Sequence, residues 1–275
     1  MTTKSAETPV DDAVAARYVY CILPDIGRDD WGEIGLDGAH VYTIGYQDIC
    51  ALVHNCPAEP YQGDDATVKE WVWTHGAVID AAWAQTDSVL PMTFDCIVRA
   101  AEGHSSDETV VAWLCAEYAN FRAQLGELKG KVELGVQIFW QTDAVAAALA
   151  GESAEIGRLQ TEMAGKPKGM VYFYQQKIEK ALKQALEGKA DADYRRYFQA
   201  ITALAEDVHV NKVKRDAAGR QMLLNLSLLV RKTQVSALGE LLDACHAAPG
   251  VTVRFTGPWP PYSFVAKPNN LEGAA

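Results

Sequence analysis

Over ten consecutive positions, Val132, Leu134, Val136, Ile138 and Trp140 alternate with Lys131, Glu133, Gly135, Gln137 and Phe139. A period of two places one set on each face of a pleated backbone, so residues 131–140 form a half-buried strand with Phe139 as its apolar exception. The patterning C-terminal to residue 140 limits how that strand is used. Helical patterns cover 152–164 and 169–187, and a third covers 191–206, entered through Gly188 and Asp191. Met170, Tyr174, Ile178, Ala181, Leu182 and Ala185 form the expected inner face of the second helix. Strands at 207–215 and 221–231 flank a turn with Asp216 and Gly219, and a helix at 234–247 and a strand at 251–256 close the set.

The order is β–α–β–β–α–β with extra helix after the first strand, the split βαβ pattern of a ferredoxin-like fold. The first half is also α+β. Residues 1–16 are small, polar and acidic and read as a disordered arm. Residues 17–23 form a strand stopped by Pro24, and strands at 39–44 and 48–54 form a hairpin around Gly45-Tyr46. A helix at 66–85 presents Trp71, His75, Val78, Ile79, Ala82 and Trp83, and residues 89–94 are extended. A second helix at 107–128 carries Val110, Trp113, Leu114, Phe121, Leu125 and Leu128 on one stripe interrupted by Glu117. Ser106 or Asp107 caps its start and Gly130 lies past its end. The expectation is an α+β protein of two domains: 17–129, then a modified ferredoxin-like domain at 130–257, with an extended C-terminal arm at 258–275.

The net charge of −11 is unevenly placed: residues 1–129 hold 7 Lys+Arg against 21 Asp+Glu, and residues 130–275 hold 18 against 15. Such a bipolar chain can orient on a charged surface or favour head-to-tail contacts. The basic residues make no stripe, which argues against nucleic acid as a partner. No apolar run has the length of a membrane span, and the first residues lack the basic and apolar regions of a secretory signal, so the expected compartment is the cytoplasm. The six cysteines lie mostly among apolar neighbours with no CxxC, as reduced buried thiols do.

No enzyme motif is present, and neither a catalytic residue, a metal nor a cofactor is expected. Gly126 to Val132 has three residues between its glycines where a phosphate loop needs four, and Val132 where Ser or Thr would hold magnesium. His54-Asn55-Cys56 offers two nominal metal ligands, with His75 and Cys96 as distant candidates; His75 on an apolar helix face reads better as a satisfied core histidine. Asn225-Leu226-Ser227 fits a glycosylation pattern but lies in an apolar strand. Lys177, Lys180 and Lys183 read as a solvated helix face, with a docking patch for an acidic surface as the second reading.

The run Gly257-Pro258-Trp259-Pro260-Pro261-Tyr262-Ser263-Phe264-Val265 is stiffened by three prolines and is neither helix nor central strand. Its aromatics Trp259, Tyr262 and Phe264 either fold back over the protein's own core or grip a partner. This run resembles the one that closes the gas vesicle protein F/L family. Tyr18 to Ile22, Asp48 to Val53, His75 with Val78, Val89 to Phe94, Gly130 to Val136 and Gly169 to Lys177 are similar to its other segments in the same order. One departure is Thr93-Phe94-Asp95, where the family often carries Arg-Phe-Gly. The resemblance implies two α+β domains, the second ferredoxin-like. It also implies a non-enzymatic accessory protein that binds the hydrophobic main shell protein, works with other accessory proteins, and helps nucleate the gas vesicle that gives buoyancy. The alternative from fold class alone is a ligand-sensing regulatory module, for which Gly165-Lys166-Pro167-Lys168-Gly169 is the candidate turn.

Overall fold

A computed structural model describes residues 15–213 and 220–266. In chain order the elements are β1 (Ala16–Pro24), β2 (Asp30–Gly32), β3 (Val41–Tyr46), β4 (Ile49–Cys56), α1 (Asp65–Thr86), β5 (Leu90–Pro91), β6 (Ile97–Arg99), α2 (Ser106–Leu128) and β7 (Lys131–Gln141), followed by α3 (Thr142–Glu152), α4 (Ala154–Ala164), α5 (Lys168–Thr202), β8 (Asp207–Val210), β9 (Arg220–Arg231), α6 (Val235–His246) and β10 (Val251–Trp259). The chain divides into two compact units, one of residues 1–132 with 259–275 and one of residues 133–258.

The first unit is a six-stranded sheet in the order β2-β3-β4-β1-β5, with β6 also paired to β1. The β1–β4 pair is antiparallel, with Ala16 opposite Cys56 and Leu23 opposite Cys50. Its register slips between Val19 and Cys21, which leaves Tyr20 as the extra residue of a bulge. Every residue from Ala16 to Leu23 is buried, so both faces of β1 are covered, and α1 and α2 both pack on it. Ala16, expected in the disordered arm, is therefore the first core residue; residues 1–14 lie outside the described ones.

Several boundaries differ from expectation. The hairpin turns at Gln47-Asp48 rather than at Gly45-Tyr46, because Gln47 takes the left-handed conformation at φ 56 and Tyr46 still pairs with Ile49. α2 is capped by Ser105, not Ser106 or Asp107: its hydroxyl accepts from the Glu108 amide while the Glu108 carboxylate accepts from the Ser105 amide, a reciprocal capping box. The strands β2 and β6, three residues each, are too short for a period of two to announce them.

The second unit carries a four-stranded sheet in the order β10-β7-β9-β8. The first and third of these strands in sequence adjoin, with the fourth outside the first and the second outside the third. Val132, Leu134, Val136, Ile138 and Trp140 are all buried as the alternation requires. Phe139 is buried too, on the opposite face, where the guanidiniums of Arg220 and Arg254 lie 5.2 and 5.6 Å from its ring centre. The two helices expected at 169–187 and 191–206 are one 35-residue helix, α5. An interior glycine costs a helix only about 1 kcal/mol, so Gly188 does not stop it. Around it Asp193 is held by Lys189 at 3.1 Å and Arg196 at 3.2 Å, one turn to either side. The expected inner face of its first half is half-buried at best, and Met170 is exposed.

Candidate functional site

The C-terminal run starts inside the sheet. β10 continues to Trp259, and Pro258 is accommodated because β10 is an edge strand, where a missing amide donor breaks no inner ladder. Beyond it Pro260 and Pro261 are buried while Trp259 and Tyr262 are exposed and Phe264 is half-buried. The two prolines are the most deeply buried part of the run.

The end of the run is tied to α2 by a polar relay that starts at the Ala266 amide and ends on Glu117. The Ala266 amide donates to Gln124 Oε1 at 2.8 Å, Gln124 Nε2 donates to Asn120 Oδ1 at 2.9 Å, and Asn120 Nδ2 donates to Glu117 Oε2 at 2.9 Å. A backbone amide can only donate and an ionised carboxylate only accept, so the two ends fix the orientation of both side-chain amides between them. Glu117 and Gln124 are both buried, which explains why a glutamate interrupts the apolar stripe of α2.

A second constellation lies between β1 and α1. Rings of Tyr18, Tyr20, His54, Tyr61, His75 and Phe94 pack with centroid separations from 5.0 to 6.4 Å. The Asp95 amide donates to the Tyr18 hydroxyl at 3.1 Å, and Tyr18 lies 2.9 Å from His75 Nδ1. His75 Nε2 lies 3.2 Å from the Met92 carbonyl, which can only accept. His75 is therefore protonated at Nε2 and accepts from Tyr18 at Nδ1. Burial pushes both His54 and His75 down to about 4, against a smaller upward pull from the Met92 carbonyl on His75 and from Asp37 on His54. Burial likewise raises the Tyr18, Tyr20 and Tyr61 hydroxyls. Both ring nitrogens of His75 are engaged, so it is a satisfied core histidine, whereas His54 Nδ1 is buried without a hydrogen-bond partner among the described residues.

Thr93-Phe94-Asp95 belongs to the same cluster. Asp95 sits in the left-handed region at φ 71, the conformation a glycine adopts without strain. Its carboxylate accepts from the Tyr61 amide at 3.1 Å, an interaction glycine lacks. The motif Gly130-Lys131-Val132-Glu133-Leu134-Gly135 is explained at both ends. Gly130 has φ 73, and a Cβ on Gly135 would lie 2.5 Å from Thr256 Oγ1 on the neighbouring β10.

Among the described residues, no group of three or more His, Cys, Asp or Glu side chains is placed to hold a metal ion. His54 is engaged by the Tyr61 hydroxyl at 2.9 Å, and burial raises the Cys56 and Cys96 thiols to about 11 and about 12. The turn from Gly165 to Gly169 is exposed throughout. An open cavity of about 400 Å³ lies instead between α5 and α6, lined mainly by alanines with Arg196, Tyr197, Leu241 and Cys245. No helix among the described residues is long and apolar enough to cross a membrane.

Large apolar side chains reach the surface elsewhere. Val210 at the end of β8 is 60% exposed and Val213 follows it. Trp73 on α1 is 80% exposed beside Val72, and Tyr172 and Phe173 on α5 are 66% and 55% exposed. Sequence reasoning missed all of these. The available signal was an apolar residue off the buried stripe of its own helix, as Trp73 is relative to Trp71, His75, Val78 and Ile79.

A family model described as gas vesicle synthesis protein GvpL/GvpF matches residues 16–266. Gas vesicle protein L1 of Halobacterium salinarum is 26% identical over 271 residues, covering 96% of this chain and 94% of that protein. Gas vesicle protein F of Nostoc sp. is 23% identical over 251 residues, covering 90% and 96%. The crystal structure of gas vesicle protein GvpF from Anabaena sp. superposes with a TM-score of 0.70 at 22% identity, covering 92% of this chain and 99% of that one, a likeness of fold.

Proposed function

The chain belongs to the gas vesicle synthesis protein GvpL/GvpF family, and on that premise we propose that it is a non-enzymatic accessory protein that binds the hydrophobic main shell protein and assists nucleation and assembly of gas vesicles. It works in the cytoplasm, associated with the vesicle and with other accessory proteins. We read the second unit as a domain of modified ferredoxin-like fold, a reading supported by the strand order β10-β7-β9-β8.

The observation that carries the shell-protein reading is the rim at β8. This strand ends the sheet order among the described residues, and Val210 in it and Val213 after it expose apolar surface. An extended apolar segment of a partner can add there as a further strand, with main-chain bonds giving affinity and the valines a greasy contact. Trp259, Tyr262 and Phe264 are a second contact for the same class of partner, with Trp259 and Tyr262 exposed and Phe264 half-buried.

The test is co-expression with the main shell protein, scored for a recovered complex and for shell-protein solubility. Wild type should capture the shell protein, and Val210→Lys with Val213→Lys should lose it while keeping the melting temperature. A wild-type protein that recovers no shell protein ends the proposal.

A further inference from the structure

We propose that this protein self-associates head to tail, the exposed Trp73 surface of α1 on one copy docking on the exposed Tyr172–Phe173 surface of α5 on the next. The two patches are apolar at their centres and opposite in charge around them. On α1 the segment 64–80 holds four carboxylates (Asp64, Asp65, Glu70 and Asp80) against the single lysine Lys69. On α5 and the turn before it, the segment 166–183 holds five lysines against the single glutamate Glu179.

Position on the helix brings charge and apolar surface together. Lys69, Glu70, Gly76 and Ala77 lie three or four residues from Trp73, so the indole has charged neighbours on its N-terminal side and small residues on its C-terminal side. On α5, Lys177 lies four residues after Phe173 and holds its ammonium 4.5 Å from that ring, which places a cation on the aromatic surface itself. An exposed tryptophan entering an aromatic, lysine-flanked patch is the kind of contact in which apolar burial supplies affinity and charge supplies register. The occupant that matches each patch in both respects is the other patch on a second copy. The two surfaces differ, so the contact is heterologous, and repeated it gives a ring or an open chain of molecules rather than a two-fold dimer. This contact stands apart from the rim at β8 and does not rest on the shell-protein reading.

Sedimentation velocity of the full chain tests it. Wild type should form species larger than a monomer as concentration rises, and shift back to monomer when salt goes from about 0.02 M to about 0.5 M, since exposed charges are screened over a few ångströms at high salt. Trp73→Ala and Phe173→Ala, both at exposed positions, should keep the wild-type melting temperature and each weaken association about tenfold or more. A one-to-one mixture of the two variants keeps one intact contact per pair, so it should form a dimer and nothing longer. A wild type that stays monomeric at low salt, a Trp73→Ala protein that associates like wild type, or a mixture that stays monomeric each overturns the proposal. Association that salt leaves unchanged overturns its electrostatic part.

Discussion

The Ala266 amide and Gln124 Oε1 are 2.8 Å apart although 142 residues separate them in sequence, and this bond is the first step of the relay that ends on Glu117. Gln124→Ala leaves the Ala266 donor and the Asn120 acceptor without their partners in a half-buried setting, and should cost about 1–2 kcal/mol. Removing the chain from Gly257 onward also strips Pro260 and Pro261 from their packing and should cost more. Urea unfolding monitored by tryptophan fluorescence measures both. A truncated protein as stable as the full chain would mean that the run serves partners alone.

The His54–His75 cluster sets a pH dependence. Both side chains are held to about 4 in the fold, below the ordinary value of about 6.5 that they regain on unfolding. The unfolded chain therefore binds more protons between those limits, and stability rises with pH there. Their contribution is complete above about pH 6.5 and is lost as pH falls toward 4, at about 1.4 kcal/mol per pH unit for each histidine. Urea midpoints at a series of pH values check this. His75→Phe should flatten the slope, and a slope identical to wild type would remove His75 from the account.

Asp95 separates backbone strain from hydrogen bonding. Asp95→Ala keeps the left-handed φ of 71 and loses the bond to the Tyr61 amide, whereas Asp95→Gly loses the bond but relieves the strain. The alanine variant should be less stable than the glycine variant by about 1 kcal/mol. Equal stabilities would show that the backbone relaxes at this position.

Much of this is legible in the sequence, and the failures share a cause. β1, β4, β7 and β9 announce themselves by β-branched and apolar patterning, and α1 and α2 by a stripe at helical spacing, because each buries a defined face. α3 has no such stripe: it is alanine-rich with Val145 as its single buried residue, so its pattern announces nothing. α5 reads as two helices because a glycine and an aspartate look like a boundary until the ion pairs of Asp193 are seen. At the candidate site, the run from Trp259 to Phe264 stands out in the sequence but its orientation does not. Alternation of proline and aromatic does not say which set faces inward, and the anchoring residues Asn120 and Gln124 lie on a helix that the sequence does not connect to the run. Glu117, an acid on an apolar stripe, is the one visible trace of that connection.

Gly135 and Thr256 give a test of the second sheet alone. Gly135→Ala places a methyl 2.5 Å from Thr256 Oγ1 and should destabilise by about 1–3 kcal/mol, the usual range for forced overpacking. Thr256→Ala added to it should restore most of the loss. Additive losses in the double variant would show that the two positions do not meet.

The path of the chain through its two units also dictates an order of events. The first unit takes residues up to Val132 and is completed only by residues from Trp259 onward, after the whole of the second unit has been made. On a ribosome the sheet of β1 to β6 and its two helices would emerge early and wait, lacking the proline pair and the Ala266 amide, while the second unit forms behind them. A chain cut short by a late stop codon would thus leave its oldest part unfinished, and quality control would read damage at the C-terminus as a defect in the N-terminal unit.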